Sequence, residues 1–211
     1  VVGLVLRNRV VKIFLGATPG ARELVLLSRI WEHSLDPQWD HIIVDLPASG
    51  HAVALFRCPF LARRTFERGP LRRRADQIIE RFSDPTVASL LFAALPGEMP
   101  INETLETCEA VRAVGLPEIG GVFLNRFPDE EFGEGDQRLL ESIARREDAP
   151  AMVAHAVEAA RVIRREQRVA ADGLQRLRES FGEATAPLPV LPGTHAQVSD
   201  ALSLLLAGMV A

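Results

Sequence analysis

The residues with the clearest chemical potential lie in the stretch WDHIIVDLPASGH, where an apolar run, His41–Val44, ends in the acid Asp45. Pro47, Ser49 and Gly50 follow shortly after. A buried parallel strand can deliver a carboxylate in this way to the carboxyl edge of a sheet, where ligands bind. Such a carboxylate can hold the Mg²⁺ ion of a bound nucleotide. A strand that ends in Asp-x-Pro also suits a plain turn, so this stretch alone leaves both interpretations open.

Three further apolar runs end in residues that could complete a site. They are Thr86–Leu95 before Pro96-Gly97-Glu98, Ile119–Phe123 before Asn125-Arg126, and Ala186–Leu191 with prolines at its ends. An amide can pair with the edge of a base, and a proline-rich backbone can pack on that base. Since parallel strands end at one edge, we expect Asp45, Asn125 and the loop at 188–192 to share that edge.

Helical patterns separate the strand-like runs and predict the fold class. We expect helices at 21–31, 60–82 with a break at Gly69-Pro70, 103–114 capped by Asn102, 136–146, 149–181 and 196–208. Their alternation with strands predicts an α/β protein, with a parallel sheet flanked by helices on both faces. Residues 1–16 suit either a strand or a helix. We expect 1–211 to be a single, partial domain with a charged helical segment at about 60–85.

Composition excludes several classes of function. Hydrophobic residues make up 47% and charged residues 25% of the chain, which is typical of a soluble globular protein. A net charge of −4 gives no reason to expect nucleic acid as a partner. No apolar run reaches the roughly eighteen residues of a transmembrane helix. Two distant cysteines, Cys58 and Cys108, favour a reducing compartment, and we expect a cytoplasmic protein.

Taken together, the motifs resemble those of the anion-transporting ATPase family, the ArsA-like branch of the P-loop ATPases. DLPASGH resembles the family's DTAPTGH signature, and PGARELVLLSRIWE resembles the helix before it. LPGEMPINET resembles the PEEMPxxET segment, GVFLNRF the VVNRV strand end, and APLPVLP the late adenine loop. The resemblance covers residues 19–193 in order and spacing. It implies a P-loop NTPase-like fold, hydrolysis of ATP with Mg²⁺, a homodimer that closes on ATP, and a protein or anion client.

The resemblance also implies roles for particular residues. Asp45 would be the magnesium-linked acid, and Pro47–His51 would be the second switch, which senses the γ-phosphate. Within that switch, Gly50 and His51 would join Asp45 as catalytic residues. The adenine base would be bound by a last set of residues, Asn125, Arg126, Pro189 and Val190.

The sequence departs from the family at the phosphate-binding loop. That loop needs a Gly-Lys-Ser/Thr sequence, because its backbone N–H groups cradle the phosphates and its lysine neutralises their charge. The one lysine of this chain is Lys12, which is followed by Ile13. We therefore expect an N-terminal truncation that removes the Walker A loop. The parent protein would be an ATP hydrolase, and this fragment would be inactive and bind ATP weakly.

Two other functions remain open from the sequence. The absent lysine loop also suits a non-catalytic module that senses nucleotide or acts as a scaffold. A partition-type ATPase could share the same sheet, although the acidic charge balance disfavours its DNA partner. Arsenite binding needs thiols close together, which Cys58 and Cys108 do not suggest. The client is not predictable from these motifs.

Overall fold

The elements of the chain come from a computed structural model that describes residues 20–47, 49–128, 133–146, 150–191 and 193–210. In chain order they are α1 (Ala21–His33), α2 (Ser49–Thr65), α3 (Pro70–Phe82), β1 (Ser89–Ala94), α4 (Glu98–Val114), β2 (Glu118–Phe127), α5 (Glu134–Ala144), α6 (Ala151–Phe181), β3 (Thr185–Pro189) and α7 (His195–Val210). Within these ranges, no helix combines the length and the apolar character that a membrane crossing needs. The prediction for residues 1–16 lies outside the described residues.

The three strands form one parallel sheet in the order β1-β2-β3. In the register between β2 and β3, Val122 lies opposite Thr185 and Asn125 lies opposite Leu188. Helices fill the connections between the strands, as parallel pairing requires. The α/β prediction is confirmed, and the fold is compatible with that of the P-loop NTPases.

Two helix boundaries differ from their predictions. Helix α4 begins at Glu98, and the Ile101 N–H donates to the Gly97 carbonyl at 3.1 Å. Asn102 therefore lies inside the helix, and the prediction that it caps the helix is wrong. The helix predicted to start at Phe60 begins earlier, at Ser49. The predicted break at Gly69-Pro70 is confirmed, since Pro70 begins α3.

The predicted strand at His41–Val44 is wrong. Residues 41–47 have no regular secondary structure and join no ladder among the residues that the structure describes. Ile43 is 95% exposed. An apolar run becomes a buried strand only where a neighbouring strand supplies its hydrogen bonds and covers its side chains. Pattern alone does not supply that neighbour.

The chain divides into two compact units. The first comprises Val1–Leu90 and Glu103–Gly120, and the second comprises Leu91–Asn102 and Gly121–Ala211. The core of the first unit is built from α1, α2, α3 and the end of α4, with Leu27, Leu55, Ile78 and Leu116 almost completely buried. The second unit buries Ile101, Val122, Leu124, Ala170 and Leu177.

Arginines of α3 fix the point at which α1 ends. The Arg81 guanidinium donates to the Ser34 carbonyl at 2.7 Å. The Arg74 guanidinium lies 4.1 Å from the centre of the Trp31 ring and 3.4 Å from the Glu32 carboxylate. Cations at a helix C-terminus complement its free carbonyls and its dipole. These contacts set where the chain leaves α1 for the segment that carries Asp45.

Gly173 lies inside α6 where that helix closely approaches α4. A methyl group at Gly173 would lie 3.1 Å from Cγ1 of Ile101, which is fully buried. Replacing Gly173 by Ala is therefore expected to lower the free energy of unfolding by about 1–3 kcal/mol, although Ala usually favours a helix. In the control, Gly135→Ala, a methyl group meets nothing within 4 Å, and no loss is expected. A Gly173→Ala variant that gains stability in urea denaturation would contradict the close approach.

Candidate functional site

The sequence-predicted site residues are divided between the two units. The first unit holds the three residues predicted to be catalytic, and the second holds the four predicted to bind the base. The first group is Asp45, Gly50 and His51, and the second is Asn125, Arg126, Pro189 and Val190. Each group has its own local geometry.

Asp45 is exposed and lies in the irregular segment between α1 and α2. Its neighbour Leu46 is half-buried and packs against the core of the first unit, which ties this segment to the core. The exposed Asp45 carboxylate is accessible from solvent, where it can meet a ligand.

Gly50 and His51 lie in the first turn of α2, and both are exposed. The loop predicted for Pro47–His51 is therefore only partly present, because the helix begins at Ser49. Ala52 and Leu55 are buried and tie this end of the helix to the core of the first unit. The first N–H groups of a helix have no partner within it and carry positive dipole, so they favour an anion.

Asn125 and Arg126 form an irregular end to β2. Arg126 has φ 57, in the left-handed region, and is the one non-glycine residue with positive φ among those described. This conformation costs a non-glycine residue about 1–2 kcal/mol. The register with β3 passes from Asn125 to Phe127, so Arg126 is the extra residue of a β-bulge. Backbone strain and bulges of this kind are enriched beside functional sites.

The Asn125 amide has a fixed local contact. The Arg126 backbone N–H donates to Asn125 Oδ1 at 2.9 Å, and both residues are exposed. A neutral amide retains a second lone pair and two N–H donors beyond one such bond. The end of β2 therefore presents an oriented hydrogen-bonding group to solvent.

The end of β3 lies beside this amide. Leu188 is opposite Asn125 and Pro189 is opposite Phe127, so the structure brings Pro189 next to the bulge. Val190 follows directly and is 55% exposed. The placement of Asn125, Arg126 and Pro189 at neighbouring strand ends agrees with the prediction of a shared edge for β2 and β3. An apolar loop beside a polar amide suits a planar heterocycle.

Phe127 is a site neighbour that sequence reasoning missed. It is half-buried and borders a concavity of about 560 Å³ together with Ala171 and Leu174 of α6. Its position depends on the bulge at Arg126, and a left-handed arginine leaves no signal in a sequence. A glycine or an asparagine at that position would have given one.

The chemistry of Asp45 suits one kind of metal better than others. No cluster of three His, Cys, Asp or Glu side chains that could hold a metal occurs among the described residues. Mg²⁺ usually keeps several waters and takes one or two carboxylates together with phosphate oxygens of the substrate. A single exposed carboxylate such as Asp45 therefore suits magnesium that arrives with a nucleotide.

The two cysteines have the properties of inert thiols. The Cys58 thiol donates to the Gly20 carbonyl at 2.7 Å. Burial raises the pKa of the Cys58 thiol to about 11, and burial likewise raises the pKa of Cys108 to about 11. Because the thiolate is the reactive and metal-binding form, neither residue is prepared for nucleophilic or metal chemistry near neutral pH.

Comparison with known proteins shows a distant similarity. The chain is 25% identical over 186 residues to a protein of Halobacterium salinarum named "Putative arsenical pump-driving ATPase". The match covers 80% of this chain and 27% of that protein, so the chain spans about a quarter of the relative's length. No protein-family model matches the chain. This distant similarity is to a protein whose name describes an ATPase.

Proposed function

We propose that this chain is part of an ArsA-like ATPase that binds and hydrolyses ATP. The observation that carries the proposal is the oriented Asn125 amide at the strained end of β2, beside the Pro189-Val190 backbone at the end of β3. An amide with a fixed orientation can read the edge of a base, while the adjacent loop covers the base face. The distant ATPase relative agrees with this class.

The residues of the first unit have separate roles in the proposal. Exposed Asp45 would hold the water shell of a nucleotide-bound Mg²⁺. The first-turn N–H groups of α2, around Gly50 and His51, lie in an anion-favouring position and respond to the terminal phosphate. Magnesium, when bound, neutralises charge on the phosphate oxygens during transfer to water. The side chain at Asp45 holds that ion, and the α2 turn reports whether the phosphate is present.

The output of the reaction is a change in assembly. Hydrolysis drives a homodimer between a closed, ATP-bound form and an open form, and this movement acts on a protein or anion client in the cytoplasm. Phosphate-dependent ordering of a segment is a common way to couple hydrolysis to such movement. The first turn of α2 is the segment assigned to this role.

Replacing Asn125 by Ala tests the base-reading proposal. We expect the dissociation constant for ATP to rise roughly tenfold while that for GTP changes little, because one oriented hydrogen-bonding group is lost. Asn102→Ala is the matched control, since the Asn102 amide accepts from Arg176 at 2.6 Å within the fold. Equal affinity of wild-type protein and the Asn125 variant for ATP, measured by calorimetry, would contradict the assignment.

A non-catalytic nucleotide sensor is the second candidate. The sequence contains no Gly-Lys-Ser/Thr, and the one lysine is Lys12. This candidate predicts ATP binding without release of phosphate, whereas the ATPase predicts release that depends on magnesium. A phosphate-release assay on protein that binds ATP separates the two.

A further inference from the structure

We propose that the bulge at Arg126 is a positioning device for the Asn125 amide, and that Arg126 serves it through its main chain. Phe127 anchors the bulge on its other side. The consequence is selectivity for adenine over guanine, so this inference rests on the proposed nucleotide site. It assigns Arg126 and Phe127 as positioning residues and leaves Asn125 as the group that touches the base.

The backbone N–H of Arg126 lies outside the pairing of β2 with β3. Because the register passes from Asn125 to Phe127, Arg126 has no ladder partner in β3. Its N–H donates instead to the neighbouring Asn125 Oδ1, at 2.9 Å. An asparagine amide is nearly symmetric in shape, so its two orientations differ mainly in their hydrogen bonds. The bond from Arg126 identifies one side of the amide as oxygen and holds it there.

The pairing of its two neighbours with β3 keeps Arg126 in its strained conformation. A left-handed non-glycine residue persists only when its surroundings determine the backbone on both sides. Here the residues on both sides are paired with β3, Asn125 with Leu188 and Phe127 with Pro189. Phe127 is also half-buried at the concavity that it shares with Ala171 and Leu174 of α6. Gln175, Arg178 and Glu179 line the same concavity, and Phe127 is the half-buried aromatic residue that we assign as the anchor beside the bulge.

Adenine and guanine differ in the group that they present to the Asn125 amide. Adenine presents an amino donor at the position where guanine presents a carbonyl acceptor. Where the free lone pair of the fixed Oδ1 faces the base, it can accept from the adenine amino group but cannot pair with the guanine carbonyl. An amide that rotates freely can accommodate either base. Fixing Oδ1 therefore converts a general polar contact into selectivity.

Amide hydrogen exchange on the full chain, measured without nucleotide, tests the bond from the Arg126 N–H to Asn125 Oδ1. We expect residue 126 to exchange roughly tenfold faster in Asn125→Ala and several-fold faster in Phe127→Ala, because the bond to Oδ1 is lost or loosened. Phe127→Leu keeps an apolar anchor and should restore slow exchange. Arg126→Ala keeps the N–H donor and should exchange slowly as well. An unchanged exchange rate at residue 126 in Phe127→Ala would overturn the anchoring role of Phe127.

Competition binding of ATP and GTP to the same variants tests the consequence. Phe127→Ala should lower the ratio of ATP to GTP affinity by roughly tenfold, while Phe127→Leu should retain it within about twofold. Arg126→Ala tests whether the arginine side chain contributes to that ratio. Loss of the ratio in Arg126→Ala would show that the guanidinium contacts the nucleotide, and this would overturn the main-chain role. The wild-type protein could bind ATP and GTP equally well while amide exchange at residue 126 follows the predicted pattern. In that case the nucleotide proposal fails, but the bond that orients Asn125 is supported.

Discussion

Replacing Asp45 by Asn is expected to lower magnesium-dependent ATP hydrolysis by about 10²–10³-fold, because the loss of one well-placed electrostatic group has effects of this size. Asparagine has nearly the same shape as aspartate, but it is neutral and cannot hold the water shell of Mg²⁺. The side chain is exposed, so the free energy of unfolding should change by less than about 0.5 kcal/mol. The measurement is phosphate release at saturating ATP over a range of magnesium concentrations, made on the full-length hydrolase of which this chain is proposed to be part.

The matched control for this experiment is Asp40→Asn. Asp40 is also exposed and directly precedes the irregular segment 41–47, but the proposal gives it no role. Hydrolysis by the Asp40 variant should match that of the wild-type protein. Equal loss in both variants would trace the effect to the overall charge of the segment, and unchanged hydrolysis in the Asp45 variant would remove Asp45 from the metal site.

Replacing Leu27 by Ala should have the largest effect on stability, lowering the free energy of unfolding by about 2–5 kcal/mol. Leu27 is 1% exposed in the core of the first unit, where α1 packs on α2 and α3. Removing its side chain leaves a cavity that the surrounding helices fill only in part. Equilibrium denaturation in urea measures the change directly.

The adjacent leucine provides the control for the cavity. Leu26 lies on the same helix and is 45% exposed. Leu26→Ala makes the same change in helix propensity, so it should cost less than about 1 kcal/mol. Similar losses in the two variants would place the buried face of α1 elsewhere.

Much of the fold could be predicted from the sequence because helix and strand periodicity is local. The α/β class and the strands near 89, 118 and 185 follow from apolar runs separated by amphipathic helices. Boundaries were less predictable, since α4 starts before Asn102 and α2 before Phe60.

The strand predicted at His41–Val44 shows the limit of pattern reasoning. Its β-branched residues favour a strand, but the segment has no regular secondary structure. Whether such a segment becomes a strand depends on a pairing partner, which composition does not reveal. The same limit applies to the loop at Pro47–His51, where Ser49 begins a helix.

The candidate site was predictable in its residue types and unpredictable in its geometry. The sequence motifs indicate an amide at Asn125 and a proline loop at Pro189. The sheet register then places these two residues close to each other. The left-handed backbone at Arg126 and the anchor at Phe127 arise from tertiary packing, so no local propensity predicts them. Those two features determine which way the amide points.

Photoaffinity labelling with 2-azido-ATP tests the proposed base site most directly. The reagent places its reactive group on the adenine ring, so the labelled peptides report the residues around the base. We predict labelling of the peptides that contain Asn125–Phe127 or Pro189-Val190, suppressed by an excess of ATP and not by GTP. Labelling elsewhere in the chain, or labelling that excess ATP does not suppress, would contradict an adenine site at the ends of β2 and β3.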